Sequence, residues 1–493
     1  MSSRAADRTI AFVLLGLVAA VFLVLAADRI TGPFGDSDEG INAAVWATNS
    51  RALRELGPFE SALGGRRADG TAYANHPPLI VVETALAELA AGEHTFTSRA
   101  PAWLGALATI PLLYVLLRRA RLGPLPAAAG AATACLTPMF VVYGPMLDTP
   151  VTSLPFGIAV LIMWQRDVRP DDDGPPPWWA AAGLSALACF AGWQATLLVG
   201  TCAATVAVVR RAEGITALRR AGAYALGGIV GVSASVASIW WAYGDLAPLT
   251  EKFSRRAGSA VVSYLDVVAF QVPWLVQLLG LALVGLAACV VAAVRDDGLR
   301  PLATMSLFVT FAYAVVFKEA AAGHQFWLYW VLVPTAIGAG YAARAIVRKV
   351  RSETSAPAGP WVAVTSLLVL VGAVNLVPTT LAEKQIVEGQ AAGSLVEALG
   401  ITGAQQAGAP VRYIGQDRRP EDYVGYILRT GVERVPDATA LTELARQAPQ
   451  TPVLVLTTCD DPPDDWCETV IGEVAADGPV VHSAAELAER FGN

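Results

Sequence analysis

Apolar positions in this chain do not alternate with polar ones at the period of a half-buried helix or strand. They run together, at 9–27, 100–117, 125–145, 149–165, 178–192, 195–209, 222–243, 268–294, 301–317, 326–343 and 360–380. A helix needs roughly 20 such residues to cross a bilayer. The pattern therefore predicts a polytopic α-helical membrane protein with about eleven spans. The first run ends in Ala-Ala-Asp rather than in a cleavage site, which predicts a retained helix. The fifth and sixth runs are short, and only Gly192-Trp193-Gln194 separates them. They are either a tight hairpin or one kinked helix.

The polar segments between the runs carry the topology. Arg4 and Arg8, Arg118, Arg119 and Arg121, Arg166 and Arg169, Arg210, Arg211, Arg219 and Arg220, Arg295 and Arg300, and Arg344, Arg348, Lys349 and Arg351 flank alternate loops. With eleven spans and a hairpin at 192–194, all fall on one side, which the positive-inside bias makes cytoplasmic. The N-terminus is then cytoplasmic. The 28–99 loop, the 145–149 turn, the 244–267 and 318–325 loops and the C-terminal segment face outward. The first of these is too long for a simple connection. Within it, 38–56 fits a helix lying on the membrane surface with Trp46 at the interface, and a second short helix runs from Pro78 to about Ala91. Residues 1–381 thus read as a transmembrane domain with juxtamembrane helices.

From 382 onward the pattern changes. Short β-type runs at Val411–Ile414 and Val453–Thr457 alternate with helical ones at Glu421–Leu428, Ala438–Arg446 and Ala484–Arg490. Residues 382–493 read as a small extracytoplasmic α/β domain. Cys459 and Cys467 flank its "DDPPDDW" turn. In an oxidising compartment they pair as a disulfide; otherwise they are two free thiols.

Composition agrees with the membrane class: 54% of the 493 residues are hydrophobic and only 16% charged, against about 25% charged in soluble domains. No basic stripe points to nucleic acid. The spans carry almost no ionisable residues near their centres, where proton and ion pathways place them. Charge gathers at the outer surface instead. Asp36, Asp38, Glu39, His76 and Arg99 lie in the first loop, Asp148 in the second turn, Lys252, Arg255 and Arg256 in the third loop, and Lys318, Glu319 and His324 in the fourth. Carboxylates and cations at one depth suit transfer from a lipid phosphate. A carboxylate takes the proton of the acceptor, and cations hold the leaving phosphate. The same groups have plainer roles. Asp36-x-x-Glu39 fits a capping box, Arg99 and Lys318 fit interfacial anchors, and Trp327, Tyr329 and Trp330 fit an aromatic belt.

The order of "DE" at Asp38-Glu39, "HPPL" at 76–79, "SRAPAWLGAL" at 98–107, "MLDTP" containing Asp148, and "HQFWLYWVLVP" at 324–334 resembles the GT-C glycosyltransferases. The likeness is to the branch of the protein O-mannosyltransferases and the aminoarabinose lipid A transferase. It implies a polyprenyl-phosphate-linked sugar donor, an extracytoplasmic glycan, lipid or protein acceptor, and inversion at the anomeric carbon, in the plasma membrane. It carries the general base to Asp38, with Glu39 beside it and Asp148 as the second acidic motif; Asp36 is accessory. It carries donor phosphate binding to His76, Arg99 and Arg255 or Arg256; Lys318 and His324 are further candidates for the same phosphate. No cofactor or metal is expected, although Asp36, Asp38 and Asp148 could hold a divalent cation. The competing class is a transporter or flippase of a lipid-linked sugar; the absence of an internal repeat and the one-sided long loops speak against it.

Overall fold

The computed structural model describes residues 3–35, 38–67, 70–169, 174–258, 262–353, 359–375, 379, 411–414, 432–456, 465–475 and 480–492. Asp36 and the side chain of Asp38 lie outside that description. The chain divides into two compact units. One comprises Met1–Ile30, Asn49–Glu93 and Thr97–Ala382; the other comprises Thr31–Thr48, His94–Phe96 and Glu383–Asn493.

The helices run α1 (Ser3–Thr31), α2 (Asp38–Glu60), α3 (Leu79–Ala91), α4 (Thr95–Ser98), α5 (Ala100–Arg119), α6 (Pro124–Cys135), α7 (Pro138–Tyr143), α8 (Thr149–Val168) and α9 (Trp178–Ala191). They continue as α10 (Trp193–Val209), α11 (Ile215–Tyr243), α12 (Ala247–Gly258), α13 (Tyr264–Leu279), α14 (Leu283–Arg295), α15 (Arg300–Val316), α16 (Lys318–Gly323), α17 (Leu332–Glu353) and α18 (Gly359–Asn375). As far as the described residues reach, each apolar run centres on one of these helices or on a broken pair. Among the described residues five segments are long and apolar enough to cross a membrane: Ala5–Thr31, Ala100–Arg119, Ile215–Tyr243, Tyr264–Arg295 and Gln325–Glu353. The third run is interrupted where Pro138 starts α7; Thr137 ends the gap by accepting a hydrogen bond from the Phe140 N–H at 3.3 Å.

The question at 192–194 resolves as a hairpin. Gly192 is extended (φ −173°, ψ 148°) and sits against Thr149 and Ser153 at the start of α8. At the far end of α10, Arg210 donates to the Asp167 carbonyl near the end of α8 at 2.6 Å. So α10 runs back alongside α8. The bundle closes through small residues, as membrane helices without a hydrophobic driving force require. Gly227 and Gly231 on α11 rest on the carbonyls of Ala182 and Ala186 on α9, leaving no room for a methyl group.

The basic clusters meet at one end of this bundle. Asp167 accepts from Arg220 at 3.0 Å and from Tyr224 at 2.7 Å, Arg344 pairs with Asp296, and Arg351 pairs with Asp7 at 2.7 Å. The opposite end carries the loops that hold the candidate chemistry.

In the second unit, β1 (Val411–Ile414), β2 (Val432–Arg434), β3 (Pro452–Val455) and β4 (Val480–Ser483) form a sheet in the order β2-β1-β3-β4. β1 is parallel to β2 and β3, and β4 is antiparallel to β3. Helices α19 (Ala438–Gln447), α20 (Asp465–Val474) and α21 (Ala484–Phe491) bury Leu441, Val470 and Leu487 against Ile414, Val453 and Val455. The expected helix at 421–428 lies outside the described residues. Cys467 is disulfide-bonded, Cys135, Cys189, Cys202 and Cys289 are free, and Cys459 lies outside the described residues.

Candidate active site

A cavity of about 590 Å³ opens at the loop end of the bundle in the first unit. Its floor is helical at i, i+3, i+4 spacing: Trp193, Thr196 and Leu197 from α10, and Tyr313, Val316 and Phe317 from the end of α15. Its rim is α12. In this short amphipathic helix Leu249, Lys252, Phe253 and Arg256 fall on one stripe, and all four line the cavity. Arg255 lies roughly 100° from Arg256 around the same helix. It is 62% exposed and pairs with Glu319 at 3.5 Å. Between two adjacent arginines, helix geometry therefore sends Arg256 to the cavity and Arg255 to its outer face.

His76 enters from the first loop, and the backbone before it is held by two bundle helices. Trp193 Nε1 donates to the Asn75 carbonyl at 3.1 Å. The Tyr243 hydroxyl donates to Asn75 Oδ1 at 3.3 Å and accepts from the Ala74 N–H at 3.2 Å. Pro77 and Pro78 follow and stiffen the exit.

Cations and aromatic rings share this space. Arg256 lies 5.9 Å from the centre of the Trp327 ring, and Lys252 lies 5.3 Å from that of Tyr73. Trp327 stacks on Tyr313 at 5.1 Å and 16°. Burial, and then Arg256 and Arg255, lower the Lys252 ammonium to about 8. Burial, followed by Arg256, Lys252 and His324, holds the His76 imidazole well below its ordinary range. At neutral pH His76 is thus a neutral hydrogen-bonding ring, and Arg256 and Lys252 carry the charge. The chemistry of such a pocket is that of an anion receptor with an apolar floor.

The other expected site residues are placed as follows. Asp148 is buried and caps α8, its Oδ1 accepting from the Thr149 N–H at 2.6 Å. It also lies within electrostatic reach of Tyr313, which Arg256 reaches too. His324 stacks on Trp327 at 6.1 Å and meets Phe326 in a tilted contact at 5.3 Å, one layer behind the cavity wall. Lys318 lies over the Tyr264 ring at 5.5 Å and does not line the cavity. Arg99 is fully buried at the start of α5 and does not line it either. The residue before it, Ser98, donates to Glu88 Oε1 at 2.6 Å; Glu88 Oε2 accepts from Ser50 at 2.5 Å and from Arg54 at 2.9 Å. This buried carboxylate ties α2, α3 and α4 together. Asp38 begins α2, and Glu39 is buried; both belong to the second unit. Among the described residues no cluster of three or more His, Cys, Asp or Glu could hold a metal ion.

Two expectations fail. Trp327, Tyr329 and Trp330 do not form an interfacial belt, since each is at most 4% exposed. Trp46, expected at the interface, is also 4% exposed. In both places aromatic rings near apolar segments pack inside the protein rather than anchoring it. The braces Asn75, Trp193 and Tyr243 were not singled out by sequence, because nothing local links them.

No family model matches the chain, and no curated protein does. Among solved structures it is similar to ArnT from Cupriavidus metallidurans bound to undecaprenyl phosphate, at 16% identity and a TM-score of 0.62, covering 95% of this chain and 97% of that one. It is similar to the oligosaccharyltransferase of Archaeoglobus fulgidus in its apo form, at 11% identity and a TM-score of 0.56, over 90% of this chain and 69% of that one. It is also similar to AglB from the same organism in complex with an inhibitory peptide and a dolichol-phosphate, at 10% identity and 0.54, over 91% and 69%. The chain has the GT-C membrane fold that these structures share.

Proposed function

We propose that this chain is a membrane glycosyltransferase that moves a sugar from a polyprenyl monophosphate to an extracytoplasmic hydroxyl, with inversion. The observation that carries this is the cavity. Two cations, Arg256 and Lys252, and a neutral His76 meet over an apolar and aromatic floor, in a fold shared with a structure that holds undecaprenyl phosphate. An anionic head on a long apolar chain satisfies both halves of that pocket. The loop end faces outward on this reading, because the arginine-rich end takes the cytoplasmic side.

The chemistry follows from the residue types. The acceptor oxygen attacks the anomeric carbon on the face opposite the phosphate. The bond from that carbon to the phosphate oxygen breaks, its electron pair stays on the phosphate, and the configuration inverts. Asp38, by the family resemblance, takes the acceptor's proton. Arg256 and Lys252 stabilise the charge gathering on the leaving phosphate. A monophosphate carries little enough charge for side chains to balance it.

The test is turnover with a panel of polyprenyl-phosphate sugars, read by mass spectrometry of the product, alongside Asp38→Asn. Asparagine keeps the shape but cannot accept the proton. Single-turnover transfer at saturating donor should fall by about 10²–10⁴, with the thermal midpoint unchanged. Transfer at the wild-type rate would return Asp36, Asp38 and Glu39 to a helix start. No product from any donor would remove the transferase assignment itself.

A further inference from the structure

Two other buried indoles have partners among the described residues. Trp164 Nε1 donates to Thr205 at 2.7 Å, and Trp330 Nε1 donates to the Pro150 carbonyl at 3.0 Å. Trp327 differs. It is 4% exposed and lines the cationic cavity, yet its buried Nε1–H finds no acceptor among the described residues. A buried donor left unpaired is costly and rare. The ring cannot turn to relieve it. Tyr313 stacks on it at 5.1 Å, Phe317 meets its edge at 6.3 Å and 70°, and His324 lies at 6.1 Å. Arg256 sits over its ring. Trp327 shares the lining of the cavity with Arg256 and Lys252, so its unpaired N–H calls for an acceptor where the two cations select a negatively charged one.

We infer that the Trp327 indole N–H donates a hydrogen bond to a phosphoryl oxygen of the lipid donor. This rests on the donor assignment above. The bond adds what the cations do not. Indole is neutral and donates one hydrogen from a rigid ring, so it fixes the position and rotation of the phosphate where Lys252 supplies a mobile point charge. A lipid alcohol, with no phosphoryl oxygen, gains nothing from it.

The experiment is native mass spectrometry of the full-length protein in detergent, titrated separately with undecaprenyl phosphate and with undecaprenol. Trp327→Phe keeps an aromatic ring and removes the N–H. Its affinity for undecaprenyl phosphate should fall about 10–100-fold, the range for a hydrogen bond to a charged group, and its affinity for undecaprenol should not change. Benzothienylalanine at position 327 puts sulfur in place of the N–H at constant shape; it should show the same loss and covers the case in which phenylalanine disturbs the fold. Wild-type affinity for the phosphate in the benzothienylalanine protein overturns the inference and leaves the donor assignment intact. An equal loss for both lipids makes Trp327 a wall of the cavity only, and also overturns it. Failure of the wild-type protein to bind undecaprenyl phosphate at all overturns the donor assignment, and the inference with it.

Discussion

At the basic end of the bundle Arg220 meets Asp167 at 3.0 Å, Arg344 meets Asp296, and Arg351 meets Asp7 at 2.7 Å. At the cavity end Lys252 and Arg256 make no ion pair among the described residues and rest against aromatic rings instead. At the first end these three arginines are neutralised within the protein, and their pairs lock helices together. The second buries Lys252 beside like charges, so that burial first and then Arg256 and Arg255 lower it, an arrangement that opposes stability until an anion arrives. Charge paired within the fold serves structure; charge left for a ligand serves binding. The same residue type, arginine at a helix end, takes either role according to whether a carboxylate shares its burial.

The widest separation between the two ends comes from one pair of substitutions. Arg256→Ala should weaken undecaprenyl phosphate binding at least tenfold, since removing a charged partner of a partly buried anion costs roughly 2–5 kcal/mol. It should leave the thermal midpoint unchanged or slightly raised, because it removes repulsion. Arg220→Ala should do the reverse. It leaves the 3% exposed Asp167 carboxylate short of a partner, which should cost about 2 kcal/mol of stability once the remaining Tyr224 bond is counted, with lipid affinity unchanged. Equal loss of stability in both variants would erase the distinction between the ends.

The parts of this division that the sequence displays are the ones set by local pattern. Eleven apolar runs predict the helices because burial on all faces needs no partner to be recognised. Gathering the arginines into one end needs only that count. What the sequence conceals depends on distant pairing. Asn75 and Tyr243 are 168 residues apart, and Asn75 and Trp193 are 118 apart, so the brace that aims His76 has no local signal. The helix that presents Arg256 could have been found: Leu249, Lys252, Phe253 and Arg256 already fall at helical spacing, but their polar surroundings read as loop. The aromatic residues at 327–330 mislead for the opposite reason. A ring at a span end resembles an anchor until tertiary contacts show both its faces covered. The strands β2 and β4, of three and four residues, are too short to show an alternation.

The pH dependence sharpens the cavity end. Lys252 in the free protein is protonated below about 8 and loses its charge above it. A bound phosphate favours the charged form and so raises this value. Affinity should therefore hold level up to about pH 8 and then fall by up to tenfold for each unit above, until the raised value in the complex is reached. His76, held well below its ordinary range, is neutral throughout and adds no slope there. Measuring undecaprenyl phosphate affinity between about pH 7 and 10 avoids the titration of the phosphate near 6. Lys252→Arg, which stays charged across this range, should flatten the profile. A slope that survives in Lys252→Arg would move the titrating group elsewhere.

The smallest expected effect tests the geometry of α12 itself. Arg255 and Arg256 are identical in chemistry and adjacent in sequence, so composition and net charge cannot tell their variants apart. Only rotation about the helix axis separates them: Arg256 lines the cavity, whereas Arg255 is 62% exposed in a 3.5 Å pair with Glu319. Exposed pairs contribute roughly 0–1 kcal/mol, and a charge at the rim acts on a ligand mainly at long range, where salt screens it within about 8–10 Å. Arg255→Ala should then change donor affinity by less than about twofold at physiological ionic strength, and part of that change should vanish on adding salt. It should also raise Lys252 slightly, because Arg255 is the weaker of the two arginines lowering it, shifting the break in the pH profile upward. Arg256→Ala should shift the same break further while losing affinity. If Arg255→Ala weakens binding as much as Arg256→Ala, α12 turns through another angle when the lipid is bound, and both arginines reach the phosphate.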